Sequence, residues 1–343
     1  MKLLLYTDVH WSEYSSIVRS RGIKYSKRLE NLISSVNWAE GLAESCDAVV
    51  CLGDFFDKPN LTSEEITALS EIKWCDKPHY FLVGNHDSNI NDLSFASTYV
   101  FTGSDFHIIS KPTVMSLDIN SSTDVYLIPY IIESNRQSLN SYLTLPKNAL
   151  GKTVIFSHND IAGIQYGKFT SVSGFTIDEI KDNCDLFING HLHNAGFVDE
   201  EEQILNLGNL TGQNFNEDAF VYRHFCAILD TDTLDIQFFE NPYALNFYKA
   251  EISTLADLDK IKGPNAVVSL HCDAKIANKV RERLGELDFT EHRLFLDFDL
   301  SSVDDVEISE LASVDYLQQF SEYVLSHLDN TEVLQQELSK VVI

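Results

Sequence analysis

Basic residues are scarce in this chain of 343 residues: 25 Lys and Arg stand against 52 Asp and Glu, a formal net charge of −27. A protein so acidic repels a polyphosphate unless metal ions or a local concentration of positive charge intervene, so nucleic acid is a conditional partner. Also missing is any apolar run approaching the roughly 20 residues needed to span a bilayer. The opening Met1-Lys2-Leu3-Leu4-Leu5-Tyr6 meets Asp8 too soon for a signal peptide. A cytoplasmic protein without a membrane role is expected. The six cysteines include no C-x-x-C pair, and several sit in apolar runs such as Val49-Val50-Cys51-Leu52. Reduced core thiols are therefore expected in preference to disulfides or a zinc site. No internal repeat appears at periods of 20 to 50 residues. With 44% hydrophobic and 22% charged residues, disorder drops out and a sizeable core is expected.

What is present is a succession of short apolar runs. Lys2–Thr7, Ala48–Leu52, His79–Val83, Val125–Ile128, Thr153–Ser157 and Leu186–Ile188 are rich in Val, Ile, Leu, Phe and Tyr, the pattern of strands buried on both faces. Helical stretches between them predict a layered α/β core. Near residue 250 the pattern changes. A hairpin is expected from Phe225–Leu229 and Ile236–Phe239, then a smaller unit of strand Ala266–Cys272, helix Ala274–Leu287 and strand Arg293–Leu300. Apolar residues at three- and four-residue steps after Ser313 and Thr331 predict two amphipathic helices in the tail.

The chemistry sits just past the carboxyl ends of these strands. Asp8 and His10 follow the first, Gly53-Asp54 the second and Gly84-Asn85-His86-Asp87 the third. Ser157-His158 and Gly190-His191-Leu192-His193 follow two later ones. Ligands in open α/β sheets bind at that edge, so these residues are expected to converge. Their oxygen and nitrogen donors suffice for two divalent ions, and the absence of thiolates suits manganese, iron or zinc in a reactive site.

D-x-H, G-D, G-N-H-D, a later His and G-H-x-H, in this order, resemble the five blocks of the calcineurin-like metallophosphoesterases. The similarity spans residues 1–250. The run Gly53-Asp54-Phe55-Phe56-Asp57-x-Pro59, followed by Val83-Gly84-Asn85-His86-Asp87, is most similar to the SbcD-type DNA repair and recombination nucleases and their phage counterparts. The resemblance implies a layered β-sandwich flanked by helices (1–250), a small α+β capping, DNA-guiding domain (251–302) and a helical ATPase-binding tail (303–343). It implies two divalent ions, Mn2+ by preference. Asp8, His10, Asp54 and His193 would hold one; Asp54, Asn85, His158 and His191 would hold the other. His86 would protonate the leaving oxygen, with Asp87 orienting it. The partners implied are DNA, an SbcC-like coiled-coil ATPase and a second copy of the chain; the compartment is the cytoplasm, a host's if the protein is viral.

Substrate contacts are expected from Asp57, from Arg19, Arg21 and Lys24 in the basic stretch after the first motif, and from Lys275 and Lys279 on the second-domain helix, although solvated helix faces account for such charge equally well. Asn206–Glu217 lies where relatives place a substrate loop, or is an ordinary turn. Two readings compete with the nuclease: a small-molecule phosphodiesterase or phosphatase of the same superfamily, and a non-enzymatic scaffold.

Overall fold

The structure is a computed structural model that describes residues 1–89, 92–115, 123–144, 151–166, 169–263 and 265–297. The expected tail helices lie outside the described residues. Residues 1–297 form one compact unit.

Two six-stranded sheets dominate it. The first runs in the order Ile236–Glu240, Phe225–Asp230, Lys2–Tyr6, Ala48–Cys51, His79–Leu82, Phe106–Ile109. The second runs Gly196–Phe197, Ile204–Asn206, Leu186–Asn189, Lys152–Ser157, Thr123–Ile128, Thr113–Val114. In both, the central strands pair in parallel, so their carboxyl ends share one edge, and the Phe225–Asp230/Ile236–Glu240 hairpin closes the first sheet antiparallel.

Alternation along each strand explains the layering. Leu3 and Leu5 turn inward with Val50 and Leu82 to meet Val125, Leu127, Val154, Phe156 and Ile188 of the second sheet. Their neighbours Leu4, Tyr6, Val49 and Cys51 turn outward against Leu29, Leu32 and Val36 of the Lys27–Leu42 helix. On the far side, Tyr126, Ile128, Ile155 and Phe187 pack against Ile180 and Cys184. Every central strand is thus covered on both faces, which is why these runs read as continuously apolar. The long helix begins where Ser26 accepts from Leu29 N–H, with Glu30 in its first turn.

A third sheet, Asn246–Ile252, Ala266–Asp273 and Glu291–Asp297, is wholly parallel and carries its own apolar cluster with the Ala277–Glu286 helix. Its first strand straddles residue 250, where a boundary was expected. The helix starts three residues later than the sequence suggests, because Asp273 accepts from Lys275 N–H and forms a turn first. Arg293 donates to Ser16 O, and Lys27 to Thr290 O, tying this sheet to the chain after the first strand.

Phe156 is fully buried between the two large sheets. Phe156→Ala should lower unfolding free energy by about 3–5 kcal/mol in urea titration; a loss below about 1 kcal/mol would contradict this layering.

Candidate metal centre

The shared edge collects the predicted residues. Backbone bonds tie the first two motifs together: Asp8 N–H donates to Gly53 O and His10 N–H to Asp54 O. Asp8, His10, Asp54 and His191 have φ of 49°, 48°, 48° and 70°, a region side-chain-bearing residues rarely adopt. Four such residues at one edge turn donors toward a common point at a conformational cost of order 1–3 kcal/mol each. Gly84 is there because a Cβ would lie 2.1 Å from Asp54 Oδ1 and 2.4 Å from Asp54 N. Gly53, at φ 113°, has likewise no room for a Cβ, which would lie 2.3 Å from His158 Nδ1.

Two main donor groups result, Asp8–His10–His193 and Asp54–His158–His191, each with ligand atoms within 4.8 Å of one another; His10, Asp54 and His86 make a third that overlaps both. Asp8 and Asp54 are almost wholly buried, and both are clamped in the same way. Asp8 Oδ2 accepts from Thr7 Oγ1 (2.6 Å) and His191 N–H (3.0 Å), leaving Oδ1 free to face His10 Nε2 and His193 Nε2, each 3.7 Å away. Asp54 Oδ1 accepts from His86 N–H (2.8 Å), leaving Oδ2 at 3.9 Å from His10 Nε2 and 3.1 Å from His158 Nε2. One oxygen of Asp54 thus faces both groups, as a bridging ligand must. Asn85 Oδ1 lies 3.2 Å from His158 Nε2.

Asp8 Oδ1 and His10 Nε2 are buried without a hydrogen-bond partner. Buried polar atoms are rarely left so, and separations of 3.7–3.9 Å exceed the roughly 2.7–3.2 Å of a hydrogen bond. The donor set therefore fits a pair of divalent cations. Without them, protons carry the positive charge. Burial lowers the His10 pKa, but Asp57, Asp8 and Asp54 overcome it and push it up to about 10; Asp54 raises His158 to about 9 against the same penalty. Burial pushes the Asp8 carboxyl up, yet His10, His158 and His193 bring it to about 2. Asp54, also buried, is held still lower by His158, His10 and His86.

The far ring nitrogens are fixed by residues the motifs do not include. His193 Nδ1 lies 2.8 Å from Glu217 Oε1, and Glu217 is itself held by Asn209, Asn214 and the Gln213 N–H. Asp160 Oδ1 lies 3.3 Å from His191 Nε2. Buried Arg28 donates to the His10 and Gly212 carbonyls. Such partners set ring orientation. The only signal for Glu217 was its place at the end of Asn206–Glu217, a stretch open to reading as a substrate loop or an ordinary turn; it delivers a carboxylate to His193.

One expectation needs correction. Asp87 does not orient His86: its fully buried carboxylate accepts from Phe56 N–H and Gly84 N–H, both 2.8 Å, while His86 Nδ1 lies 3.0 Å from Asp57 O. Asp87 is the pin of the Gly84–Asp87 turn, its carboxyl pushed up to about 7 by burial and the Asp54 charge. Asp57, expected among the substrate contacts, lines the cavity beside His86 and also places its Oδ1 3.1 Å from His10 Nδ1, so it positions that histidine. His86 itself is exposed at the rim. Among the basic residues, Arg21 is paired with Glu64 (2.7 and 2.9 Å) and Lys24 with Glu71. Arg19, Lys275 and Lys279 are exposed.

Two cavities flank the centre. One of about 410 Å³ includes His193, Asn194, Phe197 and Tyr222; the other, of about 430 Å³, includes Asp57, Lys58, Asn85 and His86. None of the five predicted basic contacts lines either.

Residues 1–195 match the calcineurin-like phosphoesterase family. The chain belongs to that family, which implies metal-dependent hydrolysis of phosphoesters with two divalent ions. No curated protein sequence matches it. Among solved structures, a single mutant of Vps29 from Entamoeba histolytica is similar at 12% identity, over 70% of this chain and 99% of its own, with a TM-score of 0.31. A metallophosphoesterase from Sphaerobacter thermophilus is similar at 17% identity, over 70% of this chain and 88% of its own, with a TM-score of 0.29. A 5′-nucleotidase precursor from Thermus thermophilus is similar at 11% identity, over 71% of this chain and 55% of its own, with a TM-score of 0.31. Likenesses this distant bear on no substrate. No helix among the described residues is long and apolar enough to cross a membrane.

Glu217→Gln should weaken Mn2+ binding about 10- to 100-fold in calorimetric titration without unfolding the chain; unchanged affinity would remove Glu217 from the centre. Gly84→Ala, which must displace Asp54, should lose Mn2+ binding at least as severely in the same titration.

Proposed function

We propose that this protein is a two-metal phosphodiesterase acting on DNA, the nuclease subunit of an SbcCD-like repair or recombination complex. The observation that carries the chemistry is Asp54 Oδ2 facing both donor groups beside two orphaned ligand atoms, Asp8 Oδ1 and His10 Nε2. When bound, divalent ions at such a site stabilise charge on the phosphoryl oxygens and activate a water. Asp8, His10, Asp54 and His193 would hold one ion and Asp54, Asn85, His158 and His191 the other.

The remaining residues have separable tasks. Asp57 and Glu217 fix the rings of His10 and His193. Asp87 fixes the turn that presents Asn85 and His86. The exposed His86 ring, 4.7 Å from His10, is placed to donate a proton to the departing oxygen, its Nδ1 steadied by the Asp57 carbonyl.

Three features support a nucleic-acid substrate. The motifs around Asp54 and Asn85 are most similar to SbcD-type nucleases. Cavities on both sides of the centre suit a chain that enters past one ion and leaves past the other. Phe197 and Tyr222, in the cavity beside His193, offer aromatic surface of the kind on which bases stack. The charge of −27 agrees with an arrangement in which a coiled-coil ATPase supplies most of the DNA affinity through residues 303–343, residues 251–302 guide DNA over the site and two copies assemble. One observation favours a small phosphodiester instead: Arg21, Lys24 and Arg283 are already paired with carboxylates, which leaves less free positive charge for a polyanion.

The deciding experiment is Mn2+-dependent hydrolysis of linear duplex DNA, single-stranded DNA and bis-p-nitrophenyl phosphate by the full chain. The nuclease reading expects DNA degradation that Asp54→Ala abolishes; cleavage of the small diester alone, even with an SbcC-like partner added, would overturn it. His86→Ala should keep its bound metal and lose about 10²- to 10⁴-fold in rate. Loss of metal on that substitution would make His86 a ligand instead.

A further inference from the structure

A second group of metal-type donors lies at the opposite edge of the first sheet. His79 opens the His79–Leu82 strand, whereas Asn85 and His86 follow its end. There Glu40, Cys75 and His79 bring a carboxylate oxygen, a sulfur and a ring nitrogen within 4.8 Å of one another. We propose that these three residues form a separate site for one zinc-like divalent ion, distinct from the phosphoesterase centre.

The contacts of His79 offer a place for a cation. Its Nδ1 lies 2.7 Å from Lys77 O, and a carbonyl only accepts, so Nδ1 carries the proton. In the neutral ring Nε2 then presents a lone pair, and it faces Glu40 Oε2 at 3.0 Å and Cys75 Sγ at 3.9 Å. A lone pair held 3.0 Å from a carboxylate oxygen needs a proton or a metal ion between the two atoms. A metal ion fills that place while also engaging the sulfur, which a proton does not.

The placement of Glu40 points the same way. It is 2% exposed and stands in the last turn of the Lys27–Leu42 helix, a turn without a basic residue. That end of a helix disfavours a negative charge, and burial disfavours it further. Tyr6 OH (3.2 Å) and Cys75 N–H (3.2 Å) donate to the carboxylate, yet no Lys or Arg pairs with it among the described residues. Aromatic rings cover the His79 side of the group: the Trp74 ring meets His79 edge-on at 5.5 Å, and the Phe106 ring lies 5.1 Å from it.

Charge balance completes the case. A carboxylate, a thiolate and a neutral imidazole together carry two negative charges, which one divalent ion neutralises, and this mixed oxygen, sulfur and nitrogen set suits zinc. Without a cation, burial and the Glu40 charge push the Cys75 thiol up to about 12; a coordinated ion would release its proton to solvent. Cys75 is also the one cysteine of the six that is only half-buried, which gives the ion a way in. Nothing in the sequence warns of this group, since the ligands come from one helix, one loop and one strand start and not from a C-x-x-C pair.

Cobalt(II) alone is the probe, because a thiolate ligand produces a near-ultraviolet charge-transfer band that the oxygen- and nitrogen-donor centre cannot. Titrated into the full reduced chain, Co2+ should give such a band, displaced by Zn2+, retained in Asp54→Ala and lost in Cys75→Ser and His79→Gln. Persistence of the band in Asp54→Ala separates this site from the phosphoesterase centre. No band in the folded wild-type chain, or an undiminished one in Cys75→Ser, would overturn the proposal. Should the variants fail to fold, the wild-type chain suffices: Zn2+ should slow alkylation of Cys75, read by peptide mapping, and an unchanged rate would overturn the proposal equally.

Discussion

Two carboxylates, Asp8 and Asp54, are buried at one sheet edge and must have a cation beside them. Burial of an uncompensated carboxylate costs several kcal/mol or more, so much else at this edge serves to meet that demand. One oxygen of each is occupied by a neighbouring donor, and the other is turned to a shared space with three imidazoles. Protons on His10 and His158 supply the charge in the metal-free protein, and divalent ions supply it in the loaded one; the two compete for the same lone pairs. The left-handed backbone at Asp8, His10, Asp54 and His191 persists because the packed sheets behind it leave the chain no other course.

The candidate ligands were legible in the sequence because each follows a strand whose apolar run is hard to mistake. Parallel pairing then places the ends of those strands together whatever the loops do. What holds the ligands was less legible. Glu217 and Arg28 come from segments with no fixed spacing to the histidines they serve, so only the folded chain brings them near. Asp87 shows the opposite failure. It stands beside His86 in sequence, but the turn sends its carboxylate backward to Phe56 and Gly84. Adjacency in the chain said nothing about the side chain's direction. The basic stretch after the first strand was ambiguous for a similar reason, since charge count does not reveal that Arg21 and Lys24 pair with Glu64 and Glu71.

The two ends of one strand in the first sheet serve different chemistry. The His79–Leu82 strand carries at its start the Glu40–Cys75–His79 group and leads at its end to Asn85 and His86. Between them lies an aromatic wall in which Phe55 meets Phe81 and Phe101 edge to face, as Trp74 meets Phe101, and Phe81 stacks on Phe101. A rigid strand flanked by such packing holds Asn85 and His86 still, and positional precision is what a phosphoryl-transfer site most needs.

The most direct test of the buried-carboxylate demand is the unfolding midpoint of the full chain as Mn2+ is raised, measured beside Asp54→Asn. The expected Tm climbs with metal concentration in the wild-type chain, as linkage requires of an ion bound only by the folded state, and stays nearly flat in the variant. A wild-type Tm indifferent to Mn2+ would contradict it, and the buried carboxylates would then need another explanation.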